Sequence, residues 1–267
     1  MTYYFSRSSA HHSSLVLPGW LTLCLIVSLL LLSGKAPAGE HHLRIAVASN
    51  FKPTLDELLK AFPEWQSAQI ISGATGHLYT QILRGAPFDI FLAADSLRPD
   101  TLAKKQLTTS NFIYTRGKLV LWYPALPGTN PESVLDNTTY RLAIANPETA
   151  PYGKAAQEVL EKLGLWDQRK KTVIRASNVA STYQYIVSGN ARAGFIPLSL
   201  INDKLSKNTS WLIPEALHAP IIQKGTILKA TQTPELAQSF VQFLLSKRSQ
   251  NFLAARGYAF AQQEPDN

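Results

Sequence analysis

Four short stretches of this chain carry uncharged hydrogen-bond donors where strands give way to helices. They are Ser49-Asn50, Thr75-Gly76, Pro151-Tyr152-Gly153 and Asn178-Val179. Each lies just before, or in, the first turn of a predicted helix. The backbone N–H groups there have no partner inside the helix, and the helix dipole presents its positive end. The hydroxyls of Ser49 and Thr75 add donors beside those amides. Such an end can hold an anion without any cationic side chain. Ser, Thr and Asn are also the preferred helix caps, and for any single stretch capping is a sufficient explanation. Four stretches, two in each half of the chain, are what a cleft between two lobes requires. The residues alone leave both readings open.

Other chemistry finds less support. The histidines are His11, His12, His41, His42, His77 and His218, and they show neither metal-ligand spacing nor a Ser–His–Asp order around a nucleophile elbow. His77 falls beside the second stretch and reads as a surface residue of a helix first turn. Asp89 and Asp95 invite a carboxylate cation site, but one starts a strand and the other a helix, where a carboxylate complements the dipole. Catalysis therefore lacks a nucleophile–base pair.

The elements that must position these stretches alternate between strand and helix. Leu43 to Ala48 reads as a buried strand and Pro53 opens a helix bearing Leu55, Leu58, Leu59 and Phe62 at helical spacing. Strands at Ala68 to Ser72 and Phe88 to Ala93 follow, with a helix between them and one from a Ser96 cap to Lys104. Gly117 to Tyr123 reads as one strand leading into the Pro/Gly-rich segment Pro124 to Pro131. A second series then runs through strands Arg141 to Ala145, Thr172 to Ala176 and Ala193 to Pro197, with helices Gly153 to Leu163 and Val179 to Val187. Ile221 to Leu228 reads as a strand returning to the first lobe, with a helix from Pro234 to Leu245. Strands joined by helices predict parallel pairing and an α/β fold, and open parallel sheets bind ligands beyond the carboxyl ends of their strands.

The chain has 267 residues, 45% of them hydrophobic and 16% charged, as in ordinary globular domains. Leu15 to Leu32 is an uncharged, largely apolar run, followed by Ala36-Pro37-Ala38. The small-residue pattern predicts a signal peptide over residues 1–38, cleaved after Ala38, rather than a retained anchor. Beyond Ala38 there remain 24 basic and 18 acidic residues, a net charge of +6, a field that suits an anionic ligand. Basic residues do not cluster as nucleic-acid binding requires. The single cysteine, Cys24, lies within the apolar run rather than at its end, against lipidation. Cleavage leaves no thiol for zinc or for nucleophilic chemistry.

From residue 43 to about 258 the sequence resembles the molybdate-binding proteins of ABC transporters, the ModA family. The resemblance lies in Ala46-Val47-Ala48-Ser49-Asn50-Phe51, in Ser72 to Ile82 and in Gly117 to Trp122. Most specific are the GAPxDxFxxAD string from Gly85 to Asp95 and the NPxxAPYG string from Asn146 to Gly153. The resemblance implies a two-lobed periplasmic binding fold of type II, each lobe a mostly parallel sheet flanked by helices. Lobe 1 would comprise residues 40–119 and 222–267, and lobe 2 residues 120–221. Carried over residue by residue, the oxyanion contacts fall on Ser49 and Asn50 (hydroxyl, and backbone or amide N–H), on the Thr75 hydroxyl, and on the backbone N–H of Tyr152 and Val179. One branch of the family adds a tyrosine hydroxyl at the position of Pro197. That contact is absent here, with Tyr183 or Ser181 as possible substitutes.

The implied function is capture of molybdate or tungstate in the periplasm and delivery to a membrane permease. No cofactor, no chemistry, no nucleic acid and a monomeric state are expected. The alternative is another oxyanion or small anion such as sulfate, since the fold serves many solutes. An organic acid would need an Arg clamp, and no Arg lies within the four stretches. Donors alone suit an ion fully ionised at neutral pH, and they disfavour a protonated phosphate whose O–H would face another donor.

Overall fold

The computed structural model describes residues 42–260 together with Met1 and Thr2. Residues 3–38 of the expected leader, with Cys24, and the tail from Gln262 to Asn267 lie outside the described residues. No helix among the described residues is long and apolar enough to cross a membrane.

The first half opens with β1 (Leu43–Ala48), α1 (Lys52–Leu59), β2 (Ala68–Gly73), α2 (Thr75–Leu83), β3 (Ile90–Leu92) and α3 (Leu97–Lys104). β4 (Thr108–Gly117) and β5 (Leu119–Trp122) follow, then α4 (Pro131–Asp136), β6 (Leu142–Ala145), α5 (Pro151–Lys162), α6 (Trp166–Arg169), β7 (Ile174–Ala176), α7 (Val179–Val187), β8 (Ala193–Pro197) and β9 (Ser210–Leu212). β10 (Ile221–Leu228), α8 (Pro234–Leu245) and α9 (Lys247–Ala255) complete the order. The strands form two five-stranded sheets, ordered β2-β1-β3-β10-β4 and β7-β6-β8-β5-β9, one in each of two lobes.

The helix-linked strands pair in parallel, as expected: β1 with β2 and β3, and β6 with β7 and β8. The crossing strands add antiparallel neighbours, β10 against β3 and β4, and β5 against β8 and β9, so both sheets are mixed. The register matters for function. Ala48 pairs with Gly73, and Val47 with Leu92, so β1, β2 and β3 end at one level. Ser49, Thr75 and Ala94 therefore emerge side by side. In the second sheet Ala145 pairs with Ala176, which brings the starts of α5 and α7 together.

Both faces of each sheet are covered. In lobe 1 Ile45, Val47 and Leu92 pack with Leu55, Phe240 and Leu244, and on the other face Ala46 and Phe91 pack with Leu78 and Leu102. In lobe 2 Leu121, Ile144 and Phe195 meet Val159 and Leu160 of α5, while Ala143 and Ile196 meet Ile186 of α7. Each fully buried aliphatic side chain contributes about 1.5–3 kcal/mol.

The strand expected from Gly117 to Tyr123 is two strands in two sheets, broken at Lys118. β4 was not anticipated as a strand, because Thr108-Thr109-Ser110-Asn111 lacks an apolar run. Ser96 does not cap α3 with its side chain. Asp95 does so instead, its Oδ1 accepting the Arg98 N–H at 3.0 Å. Asp89 is buried and structural: it accepts from Arg44 N–H (2.7 Å), the Thr231 hydroxyl (2.6 Å) and Gln232 N–H (3.2 Å).

Arg169 is fully buried at the C-terminal end of α4. Its guanidinium donates to four carbonyls: Leu135 O at 2.7 Å, Tyr140 O at 2.9 Å, and Val134 O and Asn137 O at 2.8 Å each. Desolvation lowers its pKa, against a smaller raising effect of Asp136, and a guanidinium keeps its charge in proteins. A cation here answers both the unpaired carbonyls and the negative helix end. Replacing Arg169 with Met strands those carbonyls and should lower unfolding free energy by about 3 kcal/mol or more. Urea denaturation checks this, and a loss below about 1 kcal/mol contradicts the role.

Candidate functional site

Ser49, Asn50, Thr75, Tyr152 and Val179 line one cavity between the carboxyl ends of the two sheets. The rest of its lining is Ala48, Gly73, Ala74, Ala94, Ala150 and Pro151, so no charged side chain reaches it. Its volume is about 10 Å³, far below the ~300–1,000 Å³ of pockets for organic ligands. All five residues singled out in the sequence thus meet at one place, drawn from four loops in two sheets.

The capping explanation fails at three of the four stretches. The helices that follow Ser49-Asn50, Ala74 and Ala150 have no side-chain cap hydrogen bond. At the fourth it holds, because Asn178 Oδ1 accepts Ser181 N–H at 3.0 Å. That bond satisfies the third residue of α7 and leaves the N–H of Val179, its first residue, without a partner in the helix.

The donors can be followed atom by atom. Thr75 Oγ1 accepts Ala94 N–H at 3.1 Å, which occupies a lone pair and leaves the hydroxyl proton to donate. Ser49 N–H donates to Gly73 O at 3.0 Å and Phe51 N–H to Ala48 O at 2.9 Å, with Asn50 N–H between them. The N–H groups of Gly153 and Lys154 both turn back to Ala150 O, at 2.9 and 3.0 Å, while Tyr152 N–H is a first-turn amide without an intrahelical acceptor. Gly153 permits this start: a Cβ there would lie 2.1 Å from Ala145 O. The helix begins at Pro151 rather than Gly153 as expected, proline being suited to a first helical position.

The side-chain amide of Asn50 has a partner inside the protein. Its Nδ2 donates to Gln223 Oε1 at 2.9 Å, which commits one of its two N–H groups; the backbone N–H of Asn50 remains for the cavity. Gln223 is fully buried on β10. Its Oε1 lies 3.0 Å from the Tyr114 hydroxyl, and its Nε2 donates to the Tyr152 hydroxyl at 3.1 Å. The Tyr258 hydroxyl donates to Asn50 O at 3.1 Å. One glutamine therefore joins a cavity residue of lobe 1 to a cavity residue of lobe 2. Burial pushes the phenols of Tyr114, Tyr152 and Tyr258 above the ordinary tyrosine value, so they stay protonated.

Tyr152 also explains Gly117. A Cβ at Gly117 would lie 2.0 Å from Tyr152 Oη, and Gly117 pairs with Ile221 where the chain passes between sheets. The phenol thus rests on the crossover itself. Sequence reasoning missed Gln223, Tyr114, Tyr258 and Gly117. The signal available was a glutamine in phase with Ile221 and Ile227 along the strand Ile221 to Leu228.

Neither substitute for the tyrosine absent at Pro197 is in place. Tyr183 stacks on Trp122, with ring centroids 5.4 Å apart, and its hydroxyl accepts Lys204 Nζ at 3.0 Å. Ser181 Oγ is 3.1 Å from Ser177 Oγ and faces the outer side of α7. His77 is exposed. His218 is buried, with Nδ1 2.7 Å from Ala219 O. Among the described residues no three His, Cys, Asp or Glu side chains gather as a metal ion requires.

Comparison with known proteins agrees with this architecture. A family model for bacterial extracellular solute-binding proteins matches residues 43–259. The molybdate-binding protein ModA of Azotobacter vinelandii is 38% identical over 237 residues, covering 85% of this chain and 93% of that protein. The solved structure of the Azotobacter vinelandii periplasmic molybdate-binding protein superposes with a TM-score of 0.77 at 33% identity, over 83% of this chain and all of that one. The sulfate-binding protein SubI of Mycobacterium tuberculosis, at 13% identity, TM-score 0.65 and coverage of 81% and 86%, shares the fold alone. With its two-lobed type II fold, the chain belongs to the bacterial extracellular solute-binding proteins and, within them, to the ModA group.

Proposed function

We propose that this protein is the periplasmic solute-binding component of an ABC transporter, capturing molybdate or tungstate in the interlobe cleft. It passes the anion to a membrane permease, works as a monomer without a cofactor and performs no chemistry of its own. The leader ends after Ala38, and the lobes comprise residues 40–119 with 222–267, and 120–221. The ligand reading draws on the ModA relative, whose name records molybdate binding.

One observation carries the reading: uncharged donors from both lobes border one small cavity that no charged side chain lines. In this assignment the anion receives the hydroxyls of Ser49 and Thr75 and the N–H groups of Asn50, Tyr152 and Val179. Hydrogen bonds to an ionised acceptor are roughly twice as strong as neutral ones. A dianion can therefore be held by dipoles alone, as at other helix N-termini. Closure of the lobes removes water and strengthens each of these interactions.

Calorimetry of the purified protein with molybdate, tungstate, sulfate and phosphate tests the assignment. Molybdate and tungstate should bind, with sulfate and phosphate weaker by about 100-fold or more; tight sulfate binding without molybdate binding contradicts it. Because Tyr152, the titratable side chain lining the cavity, is kept protonated by burial, molybdate affinity should be level between about pH 7 and pH 9. A slope of one proton there would reveal a titrating group in the site. Thr75→Val should weaken molybdate binding by about 1–3 kcal/mol, while Thr75→Ser keeps the donor and most of the affinity. Equal affinity in the Val variant would reduce Thr75 to a support for Ala94.

A further inference from the structure

Two hydrogen bonds cross the mouth of the cleft without involving the cavity donors. Gly76 N–H, on α2 of lobe 1, donates to Thr149 O of lobe 2 at 2.8 Å. Arg98 Nη2, on α3 of lobe 1, donates to Glu148 O at 2.9 Å. Their two acceptors are consecutive carbonyls of the loop that leads into α5. That loop is stiffened from within: Asn146 Oδ1 accepts Glu148 N–H at 3.1 Å, and Asn146 O accepts Ala150 N–H at 2.9 Å. It turns its carbonyls toward lobe 1 and, two residues later, brings Tyr152 to the cavity.

Arg98 is held ready for this contact. Its Nη1 pairs with the Asp95 carboxylate, and its own N–H donates to Asp95 Oδ1 at 3.0 Å. The side chains of Arg98 and Asp95 are only 19% and 18% exposed, so the fork keeps little freedom to lose when the lobes meet. Gly76 shows how close that meeting is. A Cβ there would lie 3.0 Å from Thr149 Cα and 3.1 Å from Arg98 Nη2. Beyond this contact lies a wider pocket of about 390 Å³ that includes Asp95, Arg98, Glu148 and Lys154. Ala94 and Pro151 border both it and the small cavity.

We propose that Arg98, acting with Gly76, is a latch on the closed form: a positioning residue that sets how long the anion is retained, not which anion is chosen. The inference deepens the binding function proposed above and rests on it. Arg98 touches none of the cavity-lining donors, and Asp95 neutralises its charge, so neither recognition nor electrostatic capture runs through it. Opening the cleft breaks both bonds across the mouth, and the barrier to release rises accordingly.

The test is release of radiolabelled molybdate into excess unlabelled ion, with association measured separately. Arg98→Ala should release molybdate about tenfold faster, with association changed by less than about twofold and an unaltered ratio of molybdate to sulfate affinity. Because that change also leaves Asp95 uncompensated near an anion, the double variant Asp95→Asn/Arg98→Ala is the control. It keeps the net charge and should show the same acceleration. Gly76→Ala, which sets a methyl against Thr149, should also speed release. An unchanged release rate in Arg98→Ala, a loss confined to association, or wild-type release in the double variant overturns the latch while leaving the molybdate reading standing. Wild-type protein that binds no molybdate overturns both.

Discussion

Backbone amides at the start of a helix must find an acceptor outside the helix, and the architecture follows from that constraint. Here two such amides, of Tyr152 and Val179, meet the turn amide of Asn50 from the other sheet, with two hydroxyls beside them. The parallel register of β1, β2 and β3 fixes three exits at one level, and the pairing of β6 with β7 fixes the other two. Small residues at the exits let the helices begin close together; Gly153, against Ala145 O, is the clearest case. A donor-only enclosure selects for acceptors on every side, which is the chemistry of a fully ionised tetrahedral oxyanion.

Behind that enclosure lies a second polar layer with a different task. Gln223 uses both ends of its amide, taking hydrogen bonds from Asn50 and Tyr114 and giving one to Tyr152. Buried polar groups are tolerated only when satisfied, and a satisfied network rigidifies its surroundings. Its members sit on the crossing strand, on the first loop of lobe 1 and on the first turn of α5. Geometry at the cavity is thereby tied to geometry at the crossover, where Gly117 leaves room for the Tyr152 phenol. Two-lobed closure then has a physical link to the donor positions rather than acting as a separate event.

Much of this was legible in the sequence, for identifiable reasons. α7, β8, β10 and α8 have the bounds that apolar periodicity and an N-terminal Asn or Pro imply. The five cavity residues were found because helix starts are marked by residue type and because two specific strings carried the family resemblance. What stayed hidden depends on distance in space. β4 is half-polar along an edge, and α9 begins with Lys247-Arg248-Ser249-Gln250, which shows no apolar stripe. The internal partner of the Asn50 amide stayed hidden because nothing local reveals Gln223, 173 residues away. Arg98 lies outside the four stretches yet reaches Glu148, 50 residues on, a pairing only the fold creates.

The central claim is that backbone amides and two hydroxyls, with no charged side chain, hold one anion. A crystal structure of the protein grown with molybdate, with the metal located by anomalous scattering at the molybdenum edge, tests it most directly. The account predicts a single strong peak whose oxygens lie about 2.6–3.1 Å from the N–H groups of Asn50, Tyr152 and Val179 and the hydroxyls of Ser49 and Thr75. A peak in the outer pocket beside Arg98 and Lys154, or an Arg, Lys or carboxylate in direct contact with the ion, would contradict it.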